Sequence, residues 1–228
     1  MVANSSRLVM ARRSAFVLAA WLVGVFACSL VEVAAGASSG TPLDAYLSGL
    51  STWSADFTQS VQDSRGKAAA SGRGRLIIVR PGRFRWESAP EGAADAVQLL
   101  VADGKNLWFL DKDLDQATVK PLKDAMPRSP AMLLAGGADL AAAYSIQNNG
   151  KREGLDWVRV LPKDSQSDFR EALFGFRNNE LARLVVIDKL GQRSTLVFSG
   201  VKRNAPVDPK LTEFVVPAGV DLIGTPVP

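Results

Sequence analysis

At Thr52 the apolar residues of this chain change their spacing from a helical period to a period of two. Before that point Leu43, Tyr46, Leu47 and Leu50 fall at i, i+3, i+4 and i+7, one stripe of a short helix. Thr41 can cap that helix, Pro42 suits its first position, and Asp44 stands where a capping box needs an acceptor. From Thr52 onward, "TWSADFTQSV" sets Trp53, Ala55 and Phe57 against Ser54, Asp56 and Thr58. The turn-rich "DSRGKAAASG" is followed by "RGRLIIVR", "RFRWES", "VQLLVAD", "NLWFLDK" and "QATVKPL". A second group comprises "LDWVRVLP", "FREALFGFR", "LARLVVID", "STLVFSGV" and a terminal "TEFVVP". Asp103-Gly104, Asn178-Asn179 and Leu190-Gly191 are tight-turn pairs between such runs. A chain of about ten or eleven short strands joined by tight turns is mainly β, an antiparallel meander curled into a barrel or sandwich.

Between the two strand groups lies "SPAMLLAGGADLAAAYS". Ser129 before Pro130 starts a helix, Gly136-Gly137 stops it, and Asp139 can open another through Tyr144. Three short apolar helices therefore accompany an otherwise all-β chain.

The first 37 residues read as a signal peptide. Arg7, Arg12 and Arg13 precede the uncharged run Ser14 to Val31, and Ala35-Gly36-Ala37 fits a small-residue cleavage site that leaves Ser38 first. Residues 38–228 are then a single domain. The apolar run is also long enough for an uncleaved anchor, and Val25-Phe26-Ala27-Cys28 resembles a lipobox that would acylate Cys28. Cleavage after Ala37 removes three arginines and one glutamate, so the formal charge of +4 falls by two. Such a balance gives no reason to expect a nucleic-acid partner.

Composition also removes most catalytic chemistry. The chain has no histidine and one cysteine, which excludes Ser-His and Cys-His pairs and every His-ligated metal. Ser64-x-x-Lys67 lies in a polar turn. Asp111, Asp113 and Asp115 imitate a calcium loop, but Gln116 and Leu122 stand where that loop needs Gly and Glu. Gly72-x-Gly74 precedes a strand and lacks the rest of a dinucleotide fingerprint. No catalytic residue, metal site or cofactor is assigned, and no enzyme is expected.

Apolar surface is what remains. "LIIV", "LWF" and "LVVI" are apolar on both strand faces, which suits a concave sheet with helices closing over something greasy. A helix-packed core without a cavity fits the same residues. In "RPGRFRW", alternation sends Phe84 and Trp86 to one face and Arg83, Arg85 and Glu87 to the other. Periodicity adds Trp53, Phe57, Leu107, Phe109, Met132 and Leu133 as inward candidates.

"TWSADFTQSVQD", "VRPGRFRWE", "LVADGKNLWFLD", "LKDAMPRSPAMLLAG" and "VDPKLTEFVVPAGV" resemble, in this order, the periplasmic outer-membrane lipoprotein carrier protein of Gram-negative bacteria. The resemblance implies an unclosed antiparallel β-barrel with a lid of short α-helices over a hydrophobic cavity. It implies a monomeric chaperone that takes acylated lipoproteins from an inner-membrane ABC transporter and gives them to an outer-membrane lipoprotein receptor. It further implies that Arg80 hydrogen-bonds lid backbone and latches the closed state, and that Phe84 lines the lipid-handling cavity. Helix C-terminal carbonyls near Gly136 would suit Arg80 as acceptors. The receptor shares the fold but lacks a C-terminal extension, which Val201 to Pro228 resembles. The alternatives are that receptor, with Cys28 acylated, and a binder of small lipids.

Overall fold

The computed structural model describes residues 40–125, 130–136 and 140–228, with the side chains of 125, 130–132 and 140 outside that description. Residues 1–39, and with them the cleavage site and Cys28, lie outside it. The first helix forms as its sequence dictates. In α1 (Pro42–Leu47) the Thr41 hydroxyl accepts from the Asp44 amide, and the Asp44 carboxylate accepts from the Thr41 amide at 2.7 Å, a complete capping box. Its apolar stripe, Leu43, Tyr46 and Leu47, is buried.

The period-two segments become β1 (Thr52–Gln62), β2 (Ala68–Val79), β3 (Arg83–Pro90), β4 (Gln98–Asp103), β5 (Asn106–Asp111) and β6 (Gln116–Pro121). Helices α2 (Leu122–Ala125), α3 (Pro130–Ala135) and α4 (Leu140–Ala143) lead to β7 (Tyr144–Arg152). The chain continues through β8 (Leu155–Pro162), β9 (Phe169–Arg177), β10 (Glu180–Asp188) and β11 (Arg193–Arg203), and later β12 (Asp221–Ile223). All twelve pair in one sheet of order β12-β6-β5-β4-β3-β2-β1-β11-β10-β9-β8-β7. Each neighbour is antiparallel except β12, which lies parallel to β6. β1 against β11 joins the two strand groups, while β12 and β7 are the ends of the order, so the barrel is unclosed.

Four features differ from the sequence reading. The strands number twelve among the described residues, because "YSIQNNGKR" forms β7, an edge strand too polar to show a period of two. "TEFVVP" is not a strand: Phe214 and Val216 instead pack on the outer side of β4–β6, and β12 comes from the following "DLI". α2 is an additional helix. Tyr144 opens β7 rather than closing a helix.

The strands that are apolar on both faces have two destinations. The main cluster gathers inward residues such as Trp53, Phe57, Leu76, Ile78, Phe84, Phe174 and Leu184 with Leu43, Tyr46 and Leu47 of α1 and Leu133 and Leu134 of α3. Outward residues of β4–β6, including Val101 and Trp108, meet the C-terminal segment, where Phe214 lies 5.0 Å from Trp108 between ring centres. A third cluster, Leu155, Trp157, Leu173, Val185 and Ile187, occupies the outer side of β8–β10. Part of the apolar surplus thus secures the outside of the sheet and is not available to a cavity.

Curling the sheet brings β2 and β3 close on their inner side. A Cβ on Gly74 would overlap the Glu87 carbonyl oxygen and the Phe57 ring, and one on Gly72 would lie 2.6 Å from the Ala89 carbonyl. These two glycines are the residues that sequence alone dismissed as a partial nucleotide fingerprint. Their work is steric: they let the Phe57 ring and the neighbouring backbone occupy side-chain space. Gly74→Ala should therefore destabilise the fold by about 1–3 kcal/mol through overpacking, measured as a lower urea midpoint with unchanged slope.

Candidate functional site

Arg80 follows β2 in a turn, joined by a cis bond to Pro81. Its amide donates to the Ser51 carbonyl at 2.8 Å, which ties the turn to the segment after α1. Two residues on, the Gly82 amide donates to the Ala135 carbonyl at the end of α3, at 2.9 Å. The guanidinium reaches between these helices. Its Nη1 donates to the Leu47 carbonyl at the C-terminus of α1, at 2.7 Å. Its opposite side lies under Gly136, where an added Cβ would be 2.6 Å from Nε and Nη2. The sequence pointed to acceptors near Gly136. The hydrogen bond instead goes to α1, and Gly136 supplies close packing that a side chain would prevent.

A cation fits here because the last carbonyls of a helix have no intrahelical donor and carry the negative end of its dipole. Among the described residues Arg80 forms no ion pair with a carboxylate. Desolvation lowers its pKa from the usual 12.5. Its charge is thus offset by backbone dipoles, and that compensation depends on the helices staying in place.

The aromatic candidates fall on the inner side. Phe84 is fully buried and pairs across the sheet with Ile78 and Ala102. Trp86 pairs with Leu76 and Leu100, is half-buried, and tilts against Phe57 at 4.9 Å. Trp53 is buried against Phe198, 5.2 Å between ring centres, and Leu133 of α3 is buried in the main cluster. Leu107 is half-buried against the same cluster, and Phe109 is 38% exposed. Phe109, Trp86 and Leu100, with Ser88 and Gln98, line a shallow open cavity of about 240 Å³. Met132 lies on α3, but its side chain is outside the described residues. Arg85 meets Glu87 at 2.6 Å on the other side of the sheet, as parity requires. Asp111, Asp113 and Asp115 surround the β5–β6 turn.

Sequence reasoning missed the polar fastening of α1. The Trp53 Nε1–H donates to the Tyr46 hydroxyl at 2.7 Å, and that hydroxyl donates to Glu180 Oε2 at 3.2 Å. Arg203 lies over the Tyr46 ring at 4.5 Å and donates from Nη2 to the Tyr46 carbonyl at 2.8 Å. The separations in the chain are large, and no local pattern marks them.

Residues 48–215 match the family model described as outer membrane lipoprotein carrier protein LolA. This chain belongs to the outer-membrane lipoprotein carrier protein family. Relatives with that name include one from Chromobacterium violaceum, 40% identical over 189 residues, covering 83% of this chain and 89% of the relative. Another, from Methylobacillus flagellatus, is 36% identical over 183 residues, covering 80% and 87%. Among solved structures, a LolA-superfamily protein from Nitrosomonas europaea aligns with a TM-score of 0.45 and 12% identity, over 76% of this chain and 99% of that one. Members of the carrier family are not enzymes. Among the described residues of this family member, no helix is long and apolar enough to cross a membrane.

The Tyr46 network has a measurable signature. Burial, opposed by the Trp53 hydrogen bond and helped by the Glu180 charge, pushes the Tyr46 phenol from 10.0 up to about 12. Burial also raises Tyr144, and the chain has only these two tyrosines. Below pH 10 both folded and unfolded chains keep the Tyr46 proton. As pH rises from 10 towards 12 the unfolded chain releases it first, so stability falls. Tyr46→Phe should cost about 1 kcal/mol at neutral pH and flatten that alkaline loss, followed by tyrosinate absorbance and urea unfolding at stepped pH.

Proposed function

We propose that this protein is a periplasmic chaperone that binds the acyl chains of lipoproteins released from the inner membrane and delivers them to an outer-membrane receptor. On this reading an inner-membrane ABC transporter loads it, a signal peptide is removed after Ala37, and the mature domain runs from Ser38 to Pro228. Arg80 is the latch of the cover, and Phe84, Trp86, Trp53, Phe57, Leu107, Phe109, Met132 and Leu133 form the lipid-handling surface.

The observation that carries this reading is the seat of Arg80. One guanidinium spans the end of α1 and the end of α3, above an apolar inner sheet face. A carrier needs such a device. Each buried acyl methylene contributes about 0.8 kcal/mol, so several chains in a permanently open cavity would leave too slowly for delivery. A cover that packs well on the empty sheet opposes loading by the contacts that must first break, which brings the affinity back into a range where cargo can be passed on. The half-exposed Trp86–Phe109 cavity offers apolar contact before the cover moves. The segment after β11 supports the carrier over the receptor of the same fold, since it runs across the outer side of the sheet and ends in β12.

Arg80→Leu separates the two halves of the task. The variant should still accept an acylated lipoprotein but release it roughly tenfold more slowly to the receptor, because the closed state that opposes binding has lost the guanidinium packed beneath Gly136 at the end of α3. Transfer from purified loaded carrier to purified receptor is the measurement. Delivery at the wild-type rate would remove the latch from the mechanism. The mass of the mature N-terminus tests the compartment and role: Ser38 supports the carrier, whereas acylated Cys28 supports the receptor.

A further inference from the structure

We propose that Arg203 is a second arginine of the cover, a positioning residue that fixes α1 to the sheet, so that α1 stays in place and the α3 segment moves when acyl chains enter. The last two carbonyls of α1 are taken by arginines from two different strands. Leu47 O accepts from Arg80 at the end of β2, and Tyr46 O accepts from Arg203 at the end of β11. The two have different partners beyond that. Arg80 also underlies Gly136 and so touches α3. Arg203 lies on the Tyr46 ring, with Nε buried and without a partner among the described residues. A guanidinium gives up water there only because the carbonyl and the ring face replace it.

Asn204 extends the same fastening. Its Oδ1 accepts from the Ser51 amide at 2.9 Å and the Ser51 hydroxyl at 3.1 Å, its Nδ2 donates to the Gly49 carbonyl at 3.0 Å, and its own amide donates to the Thr52 carbonyl at 2.8 Å. Asn204 holds a positive φ of 53°, which directs its side chain back to the loop. Tyr46, bonded to Trp53 and Glu180, completes the attachment. α1 is thus bound to β1, β2, β10 and β11 by polar contacts specific in direction. The α3 residues that are described attach by the Gly82–Ala135 backbone bond and by Leu133 and Leu134 in the apolar cluster. Acyl chains can replace apolar contacts at little cost but cannot replace hydrogen bonds to carbonyls. Cargo should therefore displace α3 and leave α1 with its two arginines.

This deepens the carrier reading, and hydrogen exchange read by mass spectrometry on the mature chain tests it in two arms. The first needs no cargo. Arg80→Leu should speed exchange over residues 131–136 roughly tenfold or more, while residues 44–51 stay within about threefold of wild type; Arg203→Ala should do the reverse. Should Arg203→Ala loosen β9 and β10 as well, Asn204→Gly decides, since glycine keeps the positive φ and removes only the side-chain bonds. Unchanged protection of 44–51 in that variant overturns the proposal. The second arm adds a synthetic triacylated lipopeptide to wild type, which should release protection at 131–136 and retain it at 44–51. Equal loss in both segments overturns the proposal. No binding of the lipopeptide overturns the carrier reading, while the first arm still decides the role of Arg203.

Discussion

The structure turns on a positive charge held by helix ends. A guanidinium removed from water needs compensation, and at Arg80 that comes from the Leu47 carbonyl, while Gly136 leaves room for it beneath the end of α3. Neither contact belongs to the strand that carries the arginine. The guanidinium keeps this seat only while α1 and α3 both lie against the end of β2, and the proposed latch rests on that geometry. A carboxylate partner would have moved with the arginine or held it tightly whatever the helices did. Backbone dipoles from a separate element make the stabilisation conditional on position.

That conditional cover needs an unyielding base. The twelve-stranded sheet supplies it through ladder hydrogen bonds that do not depend on what fills its inner side. Its outer side is secured separately: the C-terminal segment covers β4–β6 through Phe214 on Trp108, and the Trp157 cluster consolidates β8–β10. The barrel stays unclosed, with β12 and β7 at the two ends of the strand order. Gly72 and Gly74 leave side-chain space to the β3 backbone and the Phe57 ring. The strands are held by directional ladder bonds, α1 by arginine bonds to its last carbonyls, and Leu133 and Leu134 of α3 by apolar contact.

Much of this was legible from residues in sequence order. The capping box at Thr41 and Asp44, the alternation of Trp53 and Phe57, the turn at Asn178-Asn179 and the opposite facing of Phe84 and Arg85 depend on neighbours within a few positions. β7 was hidden because an edge strand with a polar exposed side shows no strong alternation. "TEFVVP" misled because its apolar residues, spaced as in a strand, cover the outside of a sheet without joining its ladder. The surplus of apolar residues pointed to a concave inner surface, and part of it proved to be packing on the other side.

The amino-acid sequence by itself determined the local periods, the turns, the absence of histidine chemistry and the facing of residues in the alternating strands. Those properties follow from bonded geometry and side-chain type. Only the tertiary structure decided which carbonyl receives Arg80, that Arg203 and Asn204 fasten α1, and that the two glycines of β2 make room for a ring. Each of these joins residues far apart in the chain, and a hydrogen bond or steric gap between them has no periodic trace. It exists only when the curl of the sheet brings the ends of β2 and β11 under the same helix.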